Sequence, residues 1–157
     1  MVMQTYETTW WERCGETDWK ETPSGGRIKS TIFRCIATGE ERCSTDLPIG
    51  ALYAIDRAHA KGRNAWPPAG DDGLAIACVC LGSGRPESRR HWYIDSRASN
   101  CTKPDDMEHR CWVRHGTVED RLTVDKNGLT CAAGAGSFFM GPNNEWHGFL
   151  RQGKLTP

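Results

Sequence analysis

Apolar and polar positions alternate with a period of two over several short stretches of the chain and keep a helical period over only one. Residues 28–36 alternate imperfectly and predict a strand. The run 74–81 predicts another, carried by Ile76, Val79 and Leu81. Gly82-Ser83-Gly84 then turns it into a strand over 91–95, so the two form a hairpin. Further strands are predicted over 109–115, 122–125 and 146–150, with Gly116, Asn127-Gly128 and Gly153 as turn residues. The helical stretch starts at Asp46 ahead of Pro48, places Leu52, Ile55 and His59 at helical spacing, and stops at Gly62. The expected fold class is therefore mainly β, or α+β with that one short helix: a compact antiparallel sheet or sandwich.

The first 30 residues read differently. Trp10, Trp11 and Trp19 sit among charges, and Thr22-Pro23-Ser24-Gly25-Gly26 is a turn or linker. This pattern predicts an N-terminal arm over 1–30, whose aromatics pack on the domain or on a partner, and a single β-rich domain over 31–157. A chain of 157 residues suits one domain, because it can bury roughly two thirds of its unfolded surface. With 17 Gly and 8 Pro, it favours short elements and many turns.

Charge narrows the partners. Lys plus Arg and Asp plus Glu are both 20, so no net field draws the molecule onto nucleic acid or an anionic membrane. No apolar run reaches the length of a membrane span, and residues 1–19 lack the pattern of a signal peptide; the chain is expected to stay in the compartment where it is made. In a reducing compartment the eight cysteines are thiols or metal ligands rather than a disulfide framework, and Asn100-Cys101-Thr102 carries no sugar.

Candidate chemistry concentrates between Cys101 and His147. On an extended strand His109, Cys111, Val113 and His115 share one face, while Arg110, Trp112 and Arg114 share the other. Cys101 precedes that strand by a turn-rich loop, Cys131 follows the Asn127-Gly128 turn, and His147 lies on the closing strand. Four of Cys101, His109, Cys111, His115, Cys131 and His147 could supply the tetrahedral thiolate and imidazole cage that Zn²⁺ prefers, although no Cys-x-x-Cys knuckle is present. The alternative is that these are buried thiols and hydrogen-bonded imidazoles. Cys78 and Cys80, two apart on a strand, read as a core face. Arg85, Arg89, Arg90 and His91 read as a solvated hairpin tip.

A hydrolase could use Ser137 or Cys131 as nucleophile, His147 or His115 as base and Asp125 to orient it. The Gly-x-Ser-x-Gly elbow is missing, and the small-residue run 130–137 lacks the Gly-Lys-Ser/Thr ending of a phosphate loop.

The segments Ser99-Asn100-Cys101-Thr102, His109-Arg110-Cys111-Trp112-Val113-Arg114-His115-Gly116, Thr123-Val124-Asp125-Lys126-Asn127-Gly128, Cys131-Ala132-Ala133-Gly134-Ala135-Gly136-Ser137 and Trp146-His147-Gly148-Phe149-Leu150 resemble those of uncharacterised small proteins of tailed bacteriophages and prophages. The likeness spans residues 50–155. The closing Trp-His-Gly-Phe-Leu-x-x-Gly also resembles the end of a broader family of unknown function, in which a Cys or His near the final hairpin is suspected of binding metal. This resemblance implies Cys101, Cys111, Cys131 and His147 as ligands. It further implies a phage-encoded protein made in the host bacterial cytoplasm, as a virion component or an accessory factor. Such a protein acts by binding, through self-assembly or contact of its Trp-rich arm with other phage proteins, and is stabilised by zinc; the alternative is a metal-dependent hydrolase.

Overall fold

A computed structural model of the chain describes residues 4–55, 73–82, 89–94, 112–125, 138–140 and 146–157. The fold is mainly β. Six strands form the largest sheet: β2 (Thr9–Glu16), β5 (Thr31–Cys35), β6 (Glu41–Cys43), β7 (Ala51–Ala54), β8 (Ile76–Leu81) and β9 (Arg89–Tyr93), in the order β6-β5-β2-β7-β8-β9. A second sheet contains β1 (Tyr6–Glu7), β12 (Phe138–Met140), β13 (Trp146–Arg151) and β14 (Lys154–Thr156), in the order β1-β14-β13-β12. The hairpin of β10 (Val113–His115) and β11 (Thr123–Asp125) lies beside it, Gly153 N donating to Leu122 O at 3.0 Å. β3 (Lys20–Glu21) and β4 (Arg27–Ile28) form a separate exposed ribbon. No helix among the described residues is long and apolar enough to cross a membrane.

The six-stranded sheet buries both faces. On one, Leu52, Ile76, Cys78, Cys80, Trp92 and Ile94 meet Trp112, Leu122 and Val124 of the β10–β11 layer and Leu150 and Leu155 of the second sheet. Trp92 and Trp112 stack edge to face at 5.5 Å, worth about 0.5–1.5 kcal/mol beyond the area they bury. On the other face Trp11, Phe33, Cys35, Leu47, Ala51 and Val79 form a smaller core with Tyr53 packed against it. Double burial explains why β8 is a continuous apolar run rather than an alternating one: both of its faces are covered.

The central pairing is parallel, β2 with β7, in the register Thr9↔Ala51, Trp10↔Leu52 and Trp11↔Tyr53. The chain leaves β2, adds β5 and β6 as an antiparallel meander, and then passes back beyond both strands to reach β7. The return runs through one 3-10 turn, Ser44–Asp46, and Leu47, which is fully buried in the smaller core; this segment therefore covers that face. It ends at Gly50, with φ +92°, where a side chain would strike the carbonyl oxygen of Glu7.

Two expectations are corrected. Residues 51–54 are strand rather than helix, because Leu52 and Tyr53 on adjacent positions feed opposite cores, which a strand allows. His59 and Gly62 of that expected helix lie outside the described residues. The N-terminal arm also shrinks: Thr9–Glu16 is an interior strand whose Trp11 is buried, and Trp10 packs against the larger core. What projects is the β3–β4 ribbon with its turn at Thr22–Gly26, where Trp19 lies under Arg27 and Lys29 at 5.7 and 5.1 Å. The hairpin expected from 74–95 is present as β8–β9.

Candidate functional site

Extended geometry places Tyr53 of β7, Ala77 of β8 and Tyr93 of β9 in one cross-strand row on the smaller-core face, with His91 opposite Val79 in the next. Phe33 of β5 completes an aromatic group. The rings of Phe33 and Tyr53 are 4.9 Å apart, and those of Tyr53 and His91 are 5.7 Å apart and edge to face. The rings of Phe33, Tyr53 and Tyr93 border a cleft of about 430 Å³, whose lining also includes Arg13 and Ser44; His91 supports Tyr53 from outside that lining. Ser44 belongs to the return segment, so the crossover that joins the two halves of the sheet also forms one wall.

Tyr53 Oη and His91 Nδ1 share a hydrogen bond of 2.6 Å. Burial, with smaller contributions from Tyr93 and Cys78, raises the Tyr53 phenol well above its ordinary value. Burial also lowers His91, because the charged imidazolium loses water. Both shifts favour the neutral forms at pH 7. A phenol this reluctant to ionise is a poor base or nucleophile, and among the described residues lining the cleft there is neither a carboxylate nor a cysteine. What the cleft offers is ring edges and faces, hydroxyls, and the Arg13 guanidinium, which is itself ion-paired to Glu16.

The residues expected to hold zinc are placed as follows. Cys101, His109, Cys111 and Cys131 lie outside the described residues. His147 is on β13 in register with Phe139. His115, at the end of β10 opposite Thr123, is exposed. Trp112 points into the core and Arg114 donates to Leu74 O at 2.9 Å, so the His115 side of this segment faces outward over 112–115, in keeping with the expected alternation. Among the described residues no three His, Cys, Asp or Glu side chains gather closely enough to hold a metal. Asp125 is on β11 opposite Val113, and Ser137 lies outside the described residues. Cys78 and Cys80 are fully buried in the larger core, as their spacing predicted, and burial pushes the Cys80 thiol up. The described cysteines, Cys14, Cys35, Cys43, Cys78 and Cys80, are all thiols.

Sequence reasoning missed Tyr53, Phe33 and Tyr93. Tyr53 sat inside the expected helix, so its strand neighbours were invisible, and His91 read only as part of a basic tip. Neither a protein-family model, nor a curated protein, nor a solved structure matches the chain.

Proposed function

We propose that the protein acts by binding, as a small structural or accessory protein of a bacteriophage, and that the cleft beside Tyr53 receives an aromatic side chain of a protein partner. The observation that carries this reading is the group of rings Phe33, Tyr53 and Tyr93 bordering a cleft, with Tyr53 held behind it in a hydrogen-bonded pair with His91 that is favoured in its neutral form. Aromatic rings supply contact area at low entropic cost, and a neutral phenol–imidazole pair offers polar recognition without the desolvation penalty of a charge. Tyr93, still 37% exposed, is the ring best placed to close over a guest.

The test is a ¹H–¹⁵N NMR titration with N-acetyl-tryptophan amide. Amides of Tyr53, His91 and Tyr93 should shift saturably, and Tyr93→Ala should weaken binding about two- to tenfold, the range expected for one aromatic contact. Absence of any shift at these amides up to the solubility of the probe refutes the reading. Hydrolysis of simple esters or amides by the wild type that vanishes in His91→Gln would make the cleft catalytic instead.

A further inference from the structure

Across β2 from the aromatic cleft, a second groove of about 340 Å³ opens at the same end of the sheet. Its floor is apolar: Trp10, Leu74 and Val118 all pack against the larger core from its edge. Its rim carries two exposed carboxylates, Glu12 on β2 and Glu119 in the turn between β10 and β11. The Trp10 indole N–H donates to Glu12 Oε1 at 3.3 Å, which sets that carboxylate beside the ring. Among the described residues no salt bridge reaches Glu12 or Glu119. Arg13 also borders the groove, but its guanidinium is engaged by Glu16 at 2.5 Å.

From this combination we infer that the groove is a receptor for the Lys or Arg side chain of a partner protein. A long cationic side chain has an apolar stem and a charged head, and it suits a site with an apolar floor and an acidic rim. The stem lies along Leu74 and Val118, and the head reaches Glu12 and Glu119 beside the Trp10 indole, where the ring adds cation–π attraction. A divalent metal fits poorly, since calcium takes six to eight oxygen ligands and two carboxylates over an apolar floor supply too few. An anionic group is repelled by the same rim. This site goes beyond the aromatic cleft, with which it shares Arg13 and Ala54 in its walls.

The experiment titrates ¹⁵N-labelled full-length protein with N-acetyl-lysine amide, with N-acetyl-norleucine amide, which keeps the four-carbon stem and lacks the ammonium group, and with calcium chloride. The lysine probe should shift the Trp10 indole N–H and the Val118 amide saturably, leaving His91 and Tyr93 unmoved. The norleucine probe, and the lysine probe on the double variant Glu12→Gln/Glu119→Gln, should each bind about tenfold more weakly, from one cation–π contact and two exposed ion pairs. Both substitutions are at exposed positions and keep the side-chain shape, so a folded variant with weakened binding isolates the charge. Equal affinity for the lysine and norleucine probes, saturation by calcium at lower concentration than by the lysine probe, or no response at Trp10 and Val118 each overturns the inference. Failure of the aromatic cleft would show at His91 and Tyr93 instead.

Discussion

Gly50→Ala tests the crossover that positions the wall of the aromatic cleft. Gly50 has φ +92°, a conformation that costs an L-residue about 1–2 kcal/mol. Its Cβ would also overlap the Glu7 carbonyl oxygen, and the neighbouring backbone has little room to yield. Gly50 N donates to Val79 O at 2.8 Å and Thr9 N donates to Gly50 O at 3.1 Å, so relief of the clash breaks one of these bonds at about 1 kcal/mol. The total is roughly 2–4 kcal/mol out of the roughly 5–15 kcal/mol that holds a typical domain folded. In urea, with a slope of about 2 kcal/mol/M, the midpoint should fall by about 1–2 M. Gly39→Ala is the control: φ there is +76°, and nothing lies within 4 Å of the added Cβ, so only the conformational part, about 1–2 kcal/mol, is lost. If the two variants lower the midpoint equally, the close approach of Gly50 to Glu7 is absent and the reasoning fails.

Stability should fall on acidification. The folded protein holds the His91 pKa below the ordinary 6.5, so the unfolded chain binds more protons as the pH drops below that value. The urea midpoint should be level above pH 6.5, fall below it until the folded-state value is passed, and lose this dependence in His91→Gln; the same fall in both proteins would remove His91 from the account. Gln152, at φ +52° before Gly153 in the two-residue turn of β13–β14, should gain about 0.5–1 kcal/mol on replacement by Asn, read as a rise in melting temperature. If the segment 101–147 binds zinc as its Cys and His residues suggest, metal analysis of purified protein will find stoichiometric zinc that Cys101→Ser, Cys111→Ser and Cys131→Ser lose and Cys78→Ser keeps. Full retention in all three ligand variants would refute the site.

The β8–β9 hairpin was legible because its signal is local: an apolar run, a glycine-rich turn, and Trp92 and Ile94 two apart on the next strand. β2 and β7 were not legible, and for a shared reason. Each is paired in parallel with a strand far away in sequence, and each sends adjacent residues into different cores, so Trp10-Trp11 and Leu52-Tyr53 show no alternation of apolar with polar. Glu12, Arg13 and Glu16 gave β2 the charge of an arm, although these side chains lie toward solvent. The aromatic cleft inherited this blindness, since it exists only once Phe33, Tyr53 and Tyr93 are brought into register. The core role of Cys78 and Cys80 needed only the period-two rule and was readable.

The parallel seam between β2 and β7 has a consequence for the order in which the chain folds. On either side of it lies a three-stranded antiparallel unit, β2-β5-β6 and β7-β8-β9, built from pairings between strands nearer in sequence than β2 and β7, with only the β3–β4 ribbon interposed between β2 and β5. Contacts of short sequence separation form early, whereas the seam must close a long loop before it gains any hydrogen bond. Each unit can therefore assemble first, and their joining would be a late, rate-setting event that also completes both cores at once. Until then each half presents one open strand edge, that of β2 in one and of β7 in the other, and two molecules at that stage could join each other's halves as readily as their own.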